Sequence, residues 1–551
     1  MRTTFIVGGK AGEGVKKAAS AISSYFAGKG LHVFEMDDYP SLIRGGHNFS
    51  AITVSDEPVY SHYMKADAVV ALDDRSLNIH AGHLSEEGLL FYNSDTSQSE
   101  AGVGVPLSSL AKGYKKPQLM LGLGAVSVIL TCLGMDDDNF EQFVRGQYEK
   151  GVEQNLEYAG KVRDYVKDKI SKTIDVDLSK GTEKKKMMTG NEAISYGLYA
   201  GGLDVYIAYP MTPASSILHI LAEHAKDFGI NVSQPENEVG VINMAIGSAF
   251  TGARTAVGTS GGGFALMQEG FSLAGISETP LVVVMSSRPG PATGVPTYTQ
   301  QADLFFTINA GHGVFPMLVA SPASVEDAYK LSTGLMNLAW KFQVPTILLT
   351  EKHLSESWMS VNITPEVNVE EPKMFTGEGD YKRYEVTPDG ISPLKFVPGQ
   401  MNKWTSYEHD QAGITTEDSE LIVQMNDKRN KKHETMVDYL KKNVETVKKY
   451  GEDSDAIIVT VGANTLSVLE AVKHLDNKPQ VVQPVYLEPF PEWEFDKYKD
   501  STVIVCEVSP DGSLARLLKE KTGILADHII KRYDGRPFEP EELAQEIKKV
   551  L

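Results

Sequence analysis

Four short apolar runs, at residues 205–208, 255–259, 281–285 and 346–349, are separated by stretches with helical spacing. Runs that are mostly apolar, instead of strictly alternating with polar residues, suit strands buried on both faces. Their alternation with helical segments predicts an α/β fold with a mostly parallel sheet. The same pattern opens the chain, with a β-type run at 3–7, glycines, and a helix-like stretch over 15–26. It also closes the chain, with strand candidates at 456–461, 481–486 and 502–507 and helices between them. A chain of 551 residues exceeds one hydrophobic core, so a multidomain α/β protein is expected.

Composition sets the boundaries. A first α/β domain spans 1–179, and a lysine-rich linker covers 180–186. A second α/β domain covers 187–354. Residues 355–450 are rich in Pro, Gly and charge and end in a helical stretch over 421–448; they read as a connecting arm. A small α/β domain at 451–551 follows.

Several classes are disfavoured. The net charge of −20 argues against a nucleic-acid binder, which needs basic surface. The longest uncharged run, 119–134, is shorter than the roughly 20 residues that span a bilayer and contains three glycines, so it reads as a buried helix. With no signal-peptide pattern at the start, a cytoplasmic protein without membrane contact is expected. The two cysteines, Cys132 and Cys506, provide no disulfide framework, no metal cage and no iron–sulfur ligation. No metal ligands are expected in this chain.

The residues suited to chemistry sit at strand ends. Tyr209-Pro210-Met211-Thr212-Pro213-Ala214-Ser215-Ser216 follows the run 205–208. Two prolines stiffen the chain around Thr212, and Ser215 or Ser216 is placed to cap the next helix. The C-terminal end of a parallel strand is where α/β proteins place ligand contacts, although a plain turn would also account for Thr212. Glu236-Asn237-Glu238 precedes an Ala/Gly-rich helix. Acidic residues are common at helix starts, and capping alone does not choose between the two glutamates. Ser260-Gly261-Gly262-Gly263 follows the run 255–259, ahead of a helix around 265–270. Its glycines permit close approach to a ligand or tight strand–helix packing. Arg288 ends the run 281–285 and leads into Pro289-Gly290-Pro291-Ala292-Thr293-Gly294. A cation there suits a carboxylate ligand, or else a salt bridge. Gly311-His312-Gly313 offers an imidazole or a turn. Gly8-Gly9-Lys10-Ala11-Gly12-Glu13-Gly14 could hold phosphate at a helix start, but its spacing matches neither the dinucleotide fingerprint nor the P-loop.

Taken in order, these motifs resemble the alpha subunit of 2-oxoacid:ferredoxin oxidoreductases, in the form with the gamma domain fused at its N-terminus, as in 2-oxoglutarate synthases. The strings from Tyr209, Glu236, Ser260, Arg288, Pro296-Thr297, Asp303-Leu304 and Gly311 carry the likeness. Arg44-Gly45-Gly46 carries it in the first domain, and Thr387-Pro388-Asp389-Gly390-Ile391-Ser392 with Glu408-His409-Asp410 carries it in the arm. The chain departs from the family pattern at Met211, often Ile, and at Gly262, often Pro.

The resemblance implies a thiamine diphosphate pyrimidine-binding domain at 187–354, a transketolase C-terminal-like domain at 451–551 and a gamma-type domain at 1–179. It implies that Glu238 bonds the aminopyrimidine ring, that Tyr209, Pro210, Ser260, Gly261 and Gly262 line the cofactor cleft, and that Thr212 and Arg288 hold the substrate. It implies a thiamine diphosphate site shared with a beta subunit that carries Mg2+ and a [4Fe-4S] cluster, coenzyme A as co-substrate, ferredoxin as electron acceptor, and an αβ or (αβ)2 assembly. The gamma-type domain would cover the site and take part in coenzyme A handling. The implied reaction is oxidative decarboxylation of a 2-oxoacid, with 2-oxoglutarate favoured over pyruvate or branched-chain oxoacids. The rival readings are a subunit of a non-redox thiamine diphosphate decarboxylase or carboligase, and a non-catalytic protein that keeps the fold.

Overall fold

The computed structural model describes residues 1–40, 46–148, 150–398 and 400–551, so Arg44 and Gly45 of the quoted motifs lie outside the described residues. These residues form two units. The first is 1–188 with 356–362 and 539–541, and the second is 189–355 with 363–538 and 542–551.

The first unit is built on an eight-stranded mixed sheet. Its central strand, Arg2–Lys10, pairs parallel with Ala66–Ala71 and antiparallel with His47–Ser55. The strand Trp358–Val361, from far along the chain, pairs antiparallel with His32–Asp38. The uncharged run forms the helix Pro117–Cys132, buried from Leu121 to Cys132. Gly122 lets it approach the start of the helix Val15–Gly28, where an added Cβ would lie 2.5 Å from the Gly14 carbonyl oxygen.

The Gly8–Gly14 loop is filled by its own side chain. Glu13 Oε2 accepts the Lys10 N–H at 2.7 Å, an amide that a phosphate would need.

Beside this loop lies a chain of hydrogen bonds. Ser76 Oγ donates to Asp73 Oδ1, and His47 Nδ1 lies 3.3 Å from Ser76 Oγ. His47 Nε2 lies 2.8 Å from His80 Nε2, and His80 Nδ1 lies 3.2 Å from His83 Nδ1. Burial, reinforced by His47 and His83, pushes the His80 imidazole down to about 3. The folded state therefore excludes a proton that the unfolded chain takes up below an ordinary histidine pKa of about 6.5. The stabilisation is complete above that pH and is lost as pH falls from about 6.5 towards 3. Hydrogen exchange of residues 66–83 is expected to show up to about 1.4 kcal/mol of lost protection per pH unit in that window. His80→Phe is expected to flatten the dependence; an unchanged slope would remove His80 as its source.

The second unit holds two sheets. The seven-stranded sheet has the order Tyr486–Glu488, Leu318–Ala320, Pro345–Glu351, Leu281–Ser287, Thr255–Thr259, Val205–Ile207, Asn231–Ser233. All its pairings are parallel except the antiparallel edge Tyr486–Glu488. The five-stranded sheet runs Val447–Tyr450, Gln480–Pro484, Ala456–Val459, Thr502–Glu507, His528–Lys531. One buried apolar cluster joins the two, with Ile207, Val257, Val283 and Ile347 from the first and Val459, Val482 and Val505 from the second.

The strand expected over 481–486 is therefore two strands on different sheets. The chain leaves the first at Pro484, which has no N–H for a ladder, and the Val485 N–H turns to the Thr446 carbonyl at 2.9 Å. The helix expected over 421–448 is Ser419–Asn443, capped by Asp418; its intended last turn is the edge strand Val447–Tyr450.

That helix carries a buried charge cluster into the seven-stranded core. Lys428 Nζ donates to both oxygens of Glu278 at 2.7 Å, and Lys432 Nζ donates to Glu278 and, at 3.1 Å, to the Gln343 carbonyl. Arg383 donates to the Glu278 carbonyl at 2.7 Å and to Gln343 Oε1 at 3.0 Å. Burial alone would raise the Glu278 carboxyl, but the two lysines and Arg383 hold it well below the carboxylate range.

No helix among the described residues is long and apolar enough to cross a membrane.

Candidate active site

The C-terminal ends of four neighbouring parallel strands bring the expected residues to one edge, where a doubly wound sheet places its ligands. The strand Val205–Ile207 leads into Tyr209–Thr212 and then the helix Ser215–Phe228. Neither Ser215 nor Ser216 caps that helix; its N-cap is Ala214, with no side-chain bond. The loop is instead pinned by Asn191, whose Nδ2 donates to the Pro213 carbonyl at 2.8 Å and to Ser216 Oγ at 2.7 Å. The rigid loop leaves Tyr209 exposed and Pro210 and Thr212 half-buried.

Arg288 meets this loop directly. Its Nη1 donates to the Thr212 carbonyl at 2.7 Å. The contact is through the Thr212 backbone, so the guanidinium is aimed by the loop itself. Burial lowers the Arg288 pKa, and the charge of Asp303 opposes that shift. Asp303 in turn accepts a 2.7 Å bond from Ser287 Oγ, and burial raises its carboxyl.

The Glu236/Glu238 ambiguity has a physical resolution. Glu236 is exposed, whereas Glu238 is 3% exposed. Asn237 is the N-cap of the helix Glu238–Phe250 and accepts the Gly240 N–H at 2.9 Å. With capping done by Asn237, the Glu238 carboxylate is released to point inward, and its Oε1 is buried with no hydrogen-bond partner.

The triple glycine is not a loop ahead of a helix, as its sequence suggested. Gly261–Ile276 is one helix, and the glycines are its first turn, with Ser260 as N-cap. A Cβ on Gly261 would lie 2.9 Å from Asp303 Oδ1, and one on Gly263 would lie 2.7 Å from Glu238 Oε1. The glycines make room for two carboxylates. Gly262 faces outward, and the Ser260 hydroxyl is buried without a partner. The sequence alone singled out neither Asn191 nor Thr259: Asn191 reaches the loop from a helix start distant in the chain, and Thr259 reads as an ordinary strand residue.

Gly311-His312-Gly313 forms a turn. Both glycines have φ near +80° (Gly311 80, Gly313 80), and the His312 N–H donates to Ser272 Oγ at 2.7 Å. Its imidazole is exposed on a groove bounded by Val239, Ile242, Phe315, Glu408 and Arg429. Behind the sheet edge, Glu351 accepts the Ala463 N–H at 2.7 Å, and burial raises its carboxyl to about 7.

Comparison with known proteins agrees with this architecture. Residues 196–428 match the family described as pyruvate flavodoxin/ferredoxin oxidoreductase, thiamine diphosphate-binding, and residues 4–165 match pyruvate ferredoxin/flavodoxin oxidoreductase. The matches thus define the class, an oxidoreductase subunit with a thiamine diphosphate-binding domain. A 2-oxoacid:ferredoxin oxidoreductase subunit alpha from Saccharolobus solfataricus is 28% identical, over 100% of this chain and 98% of its own length. The 2-oxoglutarate synthase subunit KorA of Archaeoglobus fulgidus is 28% identical over 66% of this chain and 99% of its own. A solved 2-oxoglutarate:ferredoxin oxidoreductase from Magnetococcus marinus, with 2-oxoglutarate, coenzyme A and succinyl-CoA bound, has a TM-score of 0.90 and 26% identity, covering 100% of this chain and 99% of that one. The chain belongs to the 2-oxoacid:ferredoxin oxidoreductases and matches their alpha subunits along its whole length.

Proposed function

We propose that this alpha subunit supplies the aminopyrimidine half of a thiamine diphosphate site and the substrate-carboxylate contact of a 2-oxoglutarate:ferredoxin oxidoreductase. The observation that carries the reading is the buried Glu238 carboxylate, with an unclaimed oxygen, beside a first helical turn stripped of side chains. A buried charge left without a partner is costly, and a ring nitrogen that shares a proton would relieve it. The unclaimed, buried Ser260 hydroxyl at the same helix start also fits a polar ligand there.

Bound thiamine diphosphate supplies an electron sink for decarboxylation. Glu238 holds and exchanges the proton at the aminopyrimidine ring. Arg288, aimed by the Thr212 carbonyl, receives the carboxylate of the 2-oxoacid, and Thr212 lines the position beside it. Tyr209, Pro210, Gly261 and Gly262 shape the cleft.

A beta subunit would complete the site, supplying the Mg2+-diphosphate contacts and a [4Fe-4S] cluster for electron transfer to ferredoxin, with coenzyme A as the acyl acceptor. Two features support a partner. Val239 on the Glu238 helix and Leu266 on the glycine helix are 50% and 54% exposed and line one groove together. The two thiols, Cys132 and Cys506, are buried in separate apolar cores, and burial raises both. The preference for 2-oxoglutarate is supported by the KorA relatives and by the ligands of the Magnetococcus marinus protein.

The test is anaerobic co-expression with a cysteine-bearing beta subunit, followed by viologen reduction with several 2-oxoacids, with and without coenzyme A. Coenzyme-A-dependent reduction by the pair, absent from either chain alone and fastest with 2-oxoglutarate, is expected. A faster reaction with pyruvate would move the substrate assignment. No reduction with any 2-oxoacid, despite bound cofactor and intact cluster, would overturn the redox reading.

A further inference from the structure

We propose that Thr259 is a positioning residue for Glu238: its hydroxyl and the unpartnered carboxylate oxygen both lie against the bare Cα of Gly263, and in the assembled site the hydroxyl turns to donate to that oxygen and sets the carboxylate towards the cofactor ring. The inference rests on the assignment of Glu238 as the cofactor-facing carboxylate and goes beyond it by naming what orients that group.

Thr259 is the last residue of the strand Thr255–Thr259 and is 0% exposed. A Cβ on Gly263 would lie 2.2 Å from Thr259 Oγ1 and 2.7 Å from Glu238 Oε1. Hydroxyl and carboxylate thus converge on the same point, from a strand end and from a separate helix start. Their hydrogen-bonding capacities are complementary. Glu238 Oε1 is a buried acceptor with no partner. Thr259 Oγ1 has only a 3.4 Å contact to the Ser260 carbonyl, at the long limit of a hydrogen bond. A poorly used donor thus lies near an unused acceptor, both buried, and such an imbalance is costly. Asn237, the other polar side chain at this helix start, is already committed to the Gly240 N–H.

A carboxylate has room for several donors, so a bond from Thr259 does not compete with one from the ring. It removes rotamer freedom from Glu238. A threonine also holds its hydroxyl more firmly than a serine, because its β-branch restricts χ1. The glycine at 263 is required for this meeting, since any side chain there would stand between the two groups.

The experiment uses the assembled complex with wild type, Thr259→Val, Thr259→Ser and Glu238→Gln. Three quantities are read: deuterium exchange at the thiazolium C2 proton of bound thiamine diphosphate, cofactor affinity by calorimetry, and the pH profile of kcat. Thr259→Val preserves shape and removes only the hydroxyl. It is expected to slow exchange about ten- to hundredfold, the usual range for losing a bond to a charged group. It should also shift the acid limb of the pH profile upward, with the melting temperature unchanged. Thr259→Ser is expected to recover most of the exchange rate. Wild-type exchange and an unshifted profile in Thr259→Val, beside an impaired Glu238→Gln, would overturn the positioning role while leaving Glu238 in place. Equal slowing by Ser and Val would assign the effect to the lost methyl packing and overturn it too. A Glu238→Gln complex that exchanges like wild type would remove the cofactor-facing assignment, and this inference with it.

Discussion

Glu238→Gln is expected to lower turnover of the assembled enzyme by about a hundred- to ten-thousandfold, the range for losing a positioned proton-transfer group. Glutamine has almost the same shape, so it still fits against Gly263, where a Cβ would lie only 2.7 Å from the native Oε1. What it cannot do is share a proton with a ring nitrogen. The protein itself should not suffer. A neutral amide costs less to bury than a carboxylate whose Oε1 has no partner, so the melting temperature should be unchanged or higher. Steady-state viologen reduction and a thermal melt on the same preparation check both halves. Wild-type turnover would mean that the activating group lies elsewhere. A large fall in melting temperature would mean that Glu238 is structural.

The second large effect concerns stability. Glu278→Ala is expected to cost about 3–5 kcal/mol, because it leaves cations buried without their counter-charge. Lys428 is 2% exposed, Lys432 1% and Arg383 5%, so water cannot take over the role of the carboxylate. The arm helix Ser419–Asn443 is held to the core through these lysines. Cleavage in the 363–443 region by limited proteolysis should therefore appear before global unfolding does. Urea unfolding gives the magnitude. A loss below about 1 kcal/mol, the ordinary value for an exposed pair, would show that the cluster is hydrated in solution.

The two effects fall on glutamates that look alike in sequence. Glu238 and Glu278 lie at opposite ends of the pair of helices Glu238–Phe250 and Gly261–Ile276, each beside small or polar residues. Their environments separate them. Glu278 has two ammonium groups on its carboxylate, and Glu238 has an unclaimed oxygen and a glycine. Saturation with partners marks an anchor, and a deficit of partners at a strand end marks a ligand site.

Much of the architecture was legible in the chain. Uniformly apolar runs bounded by Gly and Pro located the central parallel strands within one or two residues, because strands buried on both faces tolerate little else. The uncharged run around residue 126 read as a buried helix for the same reason. The site strings at Tyr209, Ser260 and Arg288 were visible because each follows such a run, and strand ends are where a parallel sheet exposes its ligands. Pairings between distant segments were not legible. Nothing near Trp358 signals that it extends a sheet begun at Arg2, and nothing near Pro484 signals a change of sheet.

Within the site, sequence by itself determined which residue types were available: a stiff loop, two candidate carboxylates, a glycine triplet and an arginine. Tertiary structure alone decided their surroundings. It buried Glu238 and exposed Glu236, because Asn237 took over the cap. It turned the glycines from a loop into a helical turn and set them against carboxylates. It set the Glu13 carboxylate on the Lys10 amide, and it set both Thr259 and Glu238 against Gly263. Each of these depends on which groups meet across elements far apart in the chain, and burial gives such meetings their energy by excluding the water that would otherwise satisfy every polar group alone.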